Sequence, residues 1–543
     1  MTEPTCELRL RSQGEKVEKA LTGGQQMLWE LIRKELHYSI ITARFIVGFT
    51  ICLMLISAST YVAIRDYERR LNDYDVASRE HRDEILEFRT YSQLVLRVDR
   101  RPSQLSIFSQ GMDKRLGNTF EIRAPIVPSI YDGWKHGAYN PFLALFPSID
   151  LIFIFQVVLS LLALLCAYDT VSGERENGTL KLMMSNSIPR GYVLLGKYLS
   201  ALLLLSWPIA VSIIFALLMA MFSGSISLNA SYLLRVLLIV IVSLLYVSLF
   251  FLIGLFISAK TRRTATSLML AMFVWVFLTL VYPNAAGLLA DRFIRSTPAE
   301  VHFSRISELW SQFNKEKDKY REKVVPEHRF RGSGGQGSNS SSEPQFLRYF
   351  YHEIIHKIGR YEPASAAEAL RHYYGHVERL RITTADRTWQ IRKRALDESY
   401  GRKQRLTMHI LRLSPATVYN NASAILAGTD LGGIQHFMDQ LRDYRQTFIA
   451  YLDAQKAFSS VEWFLYADKS REHKGDVSEA DQILGTANTP RPLDLGGIPI
   501  FHQRGESIES SLNRATPDIV VLIMLNVVFF MLSYMVFVRQ EIK

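Results

Sequence analysis

Cysteine is scarce: the 543 residues contain three, Cys6, Cys52 and Cys166. Cys6 lies in a polar N-terminal tail and the other two sit inside apolar runs, so neither a disulfide framework nor a zinc ribbon is spelled out. The opening stretch, MTEPTCELRLRSQGEKVEKALTGGQQ, has no apolar core. The expectation is therefore no cleaved signal peptide and a first apolar run that stays as a permanent anchor. Charge is almost missing from the interiors of the long apolar runs. Arg44 and Arg235 stand at run ends, where a long side chain can snorkel. An ion-coupled carrier keeps an ionisable group at mid-membrane, so energy for any movement must enter from outside the bilayer core. A nucleotide site is missing too. Gly191-Tyr-Val-Leu-Leu-Gly196-Lys197-Tyr198 approaches a phosphate-binding loop, but Tyr198 replaces the Ser or Thr that ligates magnesium, and no strand precedes it. The net charge of +11 is spread beside many acidic residues. It argues against a nucleic-acid partner and for juxtamembrane Lys and Arg.

What is present is long and apolar. About 20 apolar residues cross a bilayer as a helix that satisfies its own backbone. Six runs qualify: Phe45–Ile64, Ile149–Ala167, Tyr198–Phe222, Val236–Ser258, Ala265–Tyr282 and Ile519–Val538. Pro208 inside the third predicts a kink. The short basic turn Lys260-Thr-Arg-Arg263 predicts a cytoplasmic side, and the uncharged Ser223–Ser231 the opposite side. Both termini then fall in the cytoplasm, as does Tyr168–Lys197. The expected fold class is a mainly α membrane protein with six transmembrane helices and a mostly helical extracytoplasmic domain built from two insertions. The expected divisions are 1–44, tail and interfacial helix; 45–64, span one; 65–148, first insertion; 149–282, spans two to five with the loop 168–197; 283–518, the large outer domain; and 519–543, span six and tail. The segment Ile410–Leu431 is moderately apolar, but Arg412, Pro415, Asn420 and Asn421 are costly in lipid, so it is read as a surface or interfacial helix.

Before span one, Met27–Ser39 places Leu28, Leu31, Ile32 and Leu36 on one helical face, with Trp29 suited to the headgroup level. The pattern predicts an amphipathic helix on the inner surface of the lipid bilayer. Leu71, Tyr74, Ile85, Phe88 and Val95 continue at helical spacing after span one. Phe303, Ile306, Trp310 and Phe313 mark one outer helix, and Phe437, Leu441, Tyr444, Phe448 and Leu452 another. Gly332–Ser342 reads as a flexible linker. His352-Glu-Ile-Ile-His356 matches a zinc-protease pattern, and His372 and His376 repeat its spacing. On a helix His352 and His356 point away from the apolar face of Phe346, Phe350 and Ile354. A solvated face is therefore preferred, with a membrane-anchored metal-binding protein or metalloprotease as the alternative.

The most informative stretch is Tyr168–Lys197, polar, charged and clamped between two apolar runs. Gly173 and Gly178 punctuate it. Glu174, Arg175 and Glu176 offer charge to a partner groove. Thr179–Met184 can form a short helix with Leu180, Met183 and Met184 as apolar contacts, stopped by Ser187-Ile-Pro189. Asp169, Ser172-Gly-Glu-Arg-Glu176, Gly178-Thr-Leu180 and Gly196-Lys197 resemble the permease subunits of the type-2 ABC exporter family. Ile32–Leu36, the six spans and Phe537-Val-Arg-Gln-Glu541 are compatible with it. The two large insertions depart from ordinary members and are similar to a bacterial subgroup related to the permease of copper-enzyme maturation. The resemblance implies a non-catalytic subunit of the bacterial inner membrane. It implies coupling residues Ser172, Gly173, Glu174, Arg175, Glu176, Gly178, Thr179, Leu180 and Met183. It further implies an ATP-binding cassette ATPase partner that holds the ATP and Mg, a second permease chain, identical or homologous, and no cofactor on this chain. The work done is either export or mechanical action on a periplasmic protein partner.

Overall fold

The computed structural model of the protein describes residues 26–88, 90–114, 117–130, 150–180, 182, 189–224, 229–286, 300–324, 367–396, 402–463 and 493–539. Six of its helices are long and apolar enough to cross a membrane, and they cover five of the six expected runs in full and the second from Leu151 on. Helix α1, residues 26–41, is the expected amphipathic element. It leads through Thr42 into α2, Ala43–Glu87, a continuous helix of 45 residues. Beyond Gly48 this stretch contains neither Gly nor Pro, so nothing in the chain interrupts the helix. Its polar half is stitched by Arg70 to Asp66 at 3.0 Å, four residues back, and to Asp113 at 2.6 Å in the next segment.

Span two, α3, runs as Leu151–Ile154, a π-helical turn Phe155–Leu159, and Ser160–Ala167. Asp150 caps its start by accepting the amide of Phe153 at 2.8 Å. A five-residue helix, α4, follows at Ser172–Glu176. Spans three and four are α5, Arg190–Ser223, and α6, Ala230–Lys260. Span five, α7, is Thr264–Val276 with a π-helical turn at Phe277–Val281. Span six, α13, is Ile508–Arg539. Lipid tails supply no hydrophobic drive between helices, so close contact of small residues matters. Spans two and four meet in this way: a Cβ on Gly254 would lie 2.6 Å from that of Ala167.

The two insertions share a second core. A hairpin pairs β1, Leu96–Asp99, with β2, Thr119–Ile122, antiparallel, Leu96 facing Ile122. Around it lie α8, Glu300–Val324, α9, Ala367–Leu396, and α12, Leu431–Ala454. The expected apolar faces are buried here: Ile306, Trp310 and Phe313 from α8, and Phe437, Leu441, Phe448 and Leu452 from α12. Phe303 and Gly332–Ser342 lie outside the residues whose side chains or backbone are described.

The segment 410–431 departs from its expected surface position. Its first part ends α10, Arg402–Leu411. The rest is α11, Pro415–Ala427, started by the Ser414 cap and closed at Gly428, whose φ is +67°. This helix is buried among spans two, four, five and six rather than lying on a surface. Two of its polar groups, costly toward lipid, are partnered inside the protein, those of Asn421 and Tyr419. Asp518 of α13, fully buried, accepts from Asn421 at 2.6 Å and from Arg412 at 2.6 Å. Tyr419 meets the hydroxyl of Ser243 at 2.9 Å and stacks on Tyr246 with ring centres 4.4 Å apart.

Candidate functional site

The loop resolves into a joint at one end of the bundle. Ser172 begins α4 in a buried position. One hydroxyl, Ser258 of α6, accepts the amides of Val171 at 3.1 Å and Ser172 at 3.0 Å. Ser267 of α7 donates to the carbonyl of Tyr168 at 2.6 Å, and Ser172 donates to the same carbonyl at 2.8 Å. A Cβ on Gly173 would make ordinary contacts, 3.4 Å from that of Asp169 and 3.7 Å from Cγ2 of Thr264, so the turn would accept a small side chain there. Small hydroxylic residues on three elements thus hold the end of span two against spans four and five.

The charged residues of α4 were expected to face a partner. Each pairs with a group the bundle leaves unsatisfied, Glu174 and Arg175 from half-buried positions and Glu176 from an exposed one. Arg175 donates to the carbonyls of Thr261 at 2.8 Å and Ala259 at 3.2 Å, closing the C-terminal carbonyls of α6. Glu176 caps α7, accepting from the amide of Thr264 at 3.0 Å and its hydroxyl at 2.9 Å. Glu174 reaches Lys197 of α5 at 2.6 Å. Lys197, with 3% of its side chain exposed, also meets Glu35 of α1 at 3.0 Å. The ammonium therefore joins three elements that are far apart in sequence, and its low exposure makes the pairing obligatory.

Helix α1 is held close enough for this contact by a glycine. A Cβ on Gly196 would lie 3.3 Å from Cβ of Leu31 and 3.7 Å from a methyl of Leu28. Ile32 is buried, Leu31 and Leu36 are half-buried, and Trp29 is exposed. Gly191, the other glycine of the apparent phosphate loop, lies against the ring of Tyr534 in α13. The whole stretch is helical from Arg190. Gly196 and Lys197 thus serve packing and pairing.

What faces outward is the tip beyond α4. Glu176, Asn177, Gly178 and Thr179 are exposed, and so is Leu182 at 71%. Gly178 has φ +72°, a left-handed turn that favours glycine. Leu180 points back into the bundle core. Met183 and Met184 lie outside the described residues, as do His352 and His356. His372 and His376 are exposed on α9, with His376 stacked on Tyr320 at 4.1 Å. Among the described residues no three His, Cys, Asp or Glu side chains gather as a metal site.

Sequence reasoning named Ser172–Glu176 and Gly178–Leu180, and it placed Lys197 in the closing Gly196-Lys197 and Glu35 within Ile32–Leu36, but it did not pair them and did not name Ser258, Thr264 or Ser267. No curated protein matches the chain. The family model described as ABC-2 family transporter protein matches residues 29–542. The matched region includes α1 from residue 29 on, all six spans and both insertions, and the protein belongs to that family.

Proposed function

We propose that the chain is the permease subunit of an ABC transporter whose separate ATPase subunits grip the tip Glu176–Leu182. The observation that carries this reading is the joint beneath the tip. A force applied there reaches α1 and α5 through Lys197, α6 through Arg175 and Ser258, and α7 through Glu176. The basic turn Lys260–Arg263 lies beside it, which favours a cytoplasmic side for this end. ATP and Mg then reside in the partner, a second permease chain completes the membrane unit, and the insertions stand in the periplasm. The test is co-purification of full-length chain with the ATPase. The double substitution Asn177→Arg and Thr179→Arg, on exposed positions, is expected to lower recovery of the ATPase at least tenfold while leaving the permease folded. Undiminished recovery would remove the tip from the contact.

The mode of action favoured within this class is mechanical transmission to the insertions, alone or alongside export. Two ties support it. The first is α2, unbroken from the loop end of the bundle into the outer core. The second is α11. Ser414 at its start donates to the carbonyl of Leu278 in the π-helical turn of span five, at 2.8 Å. At its far end the carbonyl of Thr429 accepts the amide of Met112 at 2.8 Å, and that of Ala427 accepts Ser103 at 3.0 Å. π-helical turns occur frequently at functional sites. Movement of span five therefore has a direct handle on the insertion domain.

A further inference from the structure

Helix α10, Arg402–Leu411, carries an apolar stripe that packing inside the chain does not explain. Leu406, Ile410 and Leu413 are exposed, Leu413 at 71%. They stand at positions i, i+4 and i+7, on one helical face. The helical turn continues far enough to keep Leu413 in line. The amide of Arg412 donates to the carbonyl of Met408 at 2.9 Å, and that of Leu413 to Ile410 at 3.2 Å. Thr407, Met408 and Leu411, on the other side, are half-buried. The helix thus has one side to the protein and its apolar stripe outward.

Two bonds fix where this stripe sits. Tyr282, at the end of span five, donates to the carbonyl of Ile410 at 2.7 Å. Ser414, just past α10, donates to the carbonyl of Leu278 at 2.8 Å. From Thr264 to Tyr282 a helix rises about 27 Å, close to the roughly 30 Å of a bilayer's hydrocarbon core. Thr264 lies at the joint, so Tyr282 marks the opposite membrane boundary, a level that suits tyrosine. Span five has an open stripe of its own: Phe273, Val276, Phe277 and Leu280 are exposed. As the side of a membrane span, that stripe is covered by lipid. It ends within one turn of Tyr282, whose hydroxyl holds α10, so the lipid that covers the first stripe reaches the second. Charge agrees with this cover. From Arg402 to Ser414 the sequence has no acidic residue, and Arg402, Lys403 and Arg405 fall in the first turn of α10. An amphipathic helix rich in Lys and Arg lies in the headgroup interface and favours anionic lipid.

We propose that α10 is an interfacial helix of the leaflet opposite the joint. Leu406, Ile410 and Leu413 sit at its acyl boundary, and the basic first turn draws anionic phospholipid. This requires only that span five crosses the bilayer and does not depend on an ATPase at the loop tip. Helix α11 follows through the Ser414 cap, so the lipid surface touches the segment that ties span five to the insertion core.

The test uses the full-length chain in nanodiscs, with a fluorescent amino acid encoded at Leu406 or Leu413 and, as the control, at Thr383, exposed on α9. Two quenchers are compared: a nitroxide near the top of the lipid acyl chain, and iodide in the buffer. The lipid is phosphatidylcholine, alone or mixed with phosphatidylglycerol. In the mixture the nitroxide is expected to quench the labels at Leu406 and Leu413 at least threefold more than the label at Thr383, and iodide at least threefold less. Without phosphatidylglycerol, or with Arg402→Gln, Lys403→Gln and Arg405→Gln combined, nitroxide quenching at Leu406 is expected to fall at least twofold. Iodide reaching Leu406 and Leu413 as readily as Thr383 would place the stripe in water and overturn the proposal. Shielding from both quenchers would mean a protein cover, a second copy or another chain, and would overturn it as well. Nitroxide quenching indifferent to phosphatidylglycerol would overturn the anionic lipid as the occupant. Should the triple variant not fold, the lipid comparison on the unaltered basic turn decides alone. No ATPase is present in these samples, so failure here leaves the loop-tip reading standing.

Discussion

Lys197→Met is expected to destabilise the permease by about 3–5 kcal/mol, the range for removing one member of a buried ion pair. The reason lies in what remains. Glu35 and Glu174, with 16% and 21% of their side chains exposed, lose the ammonium that stands between them. Two carboxylates then face each other in a partly dry joint, and like charges at that range repel. Thermal unfolding of the purified chain measures the loss. The triple substitution Lys197→Met, Glu35→Gln and Glu174→Gln is expected to recover most of the stability, because no charge is left unpaired. It is not expected to recover transport-coupled ATP turnover, because the bridge between α1, α4 and α5 is gone. A purely structural role for Lys197 would restore both together. Full coupling in the triple variant would therefore remove this joint from the path of force.

The second large effect is expected at the opposite end. Asp518→Ala leaves Arg412 and Asn421 without the carboxylate that each reaches at 2.6 Å. Asp518 is fully buried, so the expected cost is again about 3–5 kcal/mol. Here the loss should be local, since α11 is a short helix whose polar face depends on this residue. Amide hydrogen exchange over 415–427 is expected to accelerate at least tenfold, while the middle of α6 stays protected. Asp518→Asn keeps an acceptor and should give a smaller effect. In the mechanical reading, loosening α11 disconnects the insertion domain from span five, and ATP turnover continues without it. Unchanged protection of 415–427 in Asp518→Ala would mean that α11 is held by packing alone.

Both effects depend on residues whose importance was hidden in the sequence for the same physical reason. The six spans were legible because a span declares itself locally, by length and apolarity. Helix α1 was legible too, through Leu28, Leu31, Ile32 and Leu36 at helical spacing. The apolar faces of α8 and α12 could be read in the same way. Lys197 reads locally as the lysine of an imperfect phosphate loop. Its partner Glu35 lies 162 residues away, and no periodicity links the two. Helix α11 misled for a related reason. Asn420, Asn421 and Ser423 make it a poor membrane segment by composition, yet Asn421 finds its acceptor 97 residues later, in Asp518. A polar group in an apolar setting is informative only once its partner is known. The charged run of α4 shows the same limit from the other side. Glu174, Arg175 and Glu176 look like an outward-facing cluster, but each closes a helix end or an ion pair within the bundle. The exposed tip is Glu176 and the blander stretch that follows it.

The central claim is that this tip, and not the insertion end, meets the ATPase. The most direct measurement places a photo-crosslinking amino acid at Thr179, and separately at Leu413, which is exposed at the other end of the bundle. The full-length chain with its ATPase is then irradiated in native membranes. The account expects a permease–ATPase adduct from Thr179 and none from Leu413. An adduct from Leu413, or none from Thr179 while the two proteins still co-purify, would contradict it.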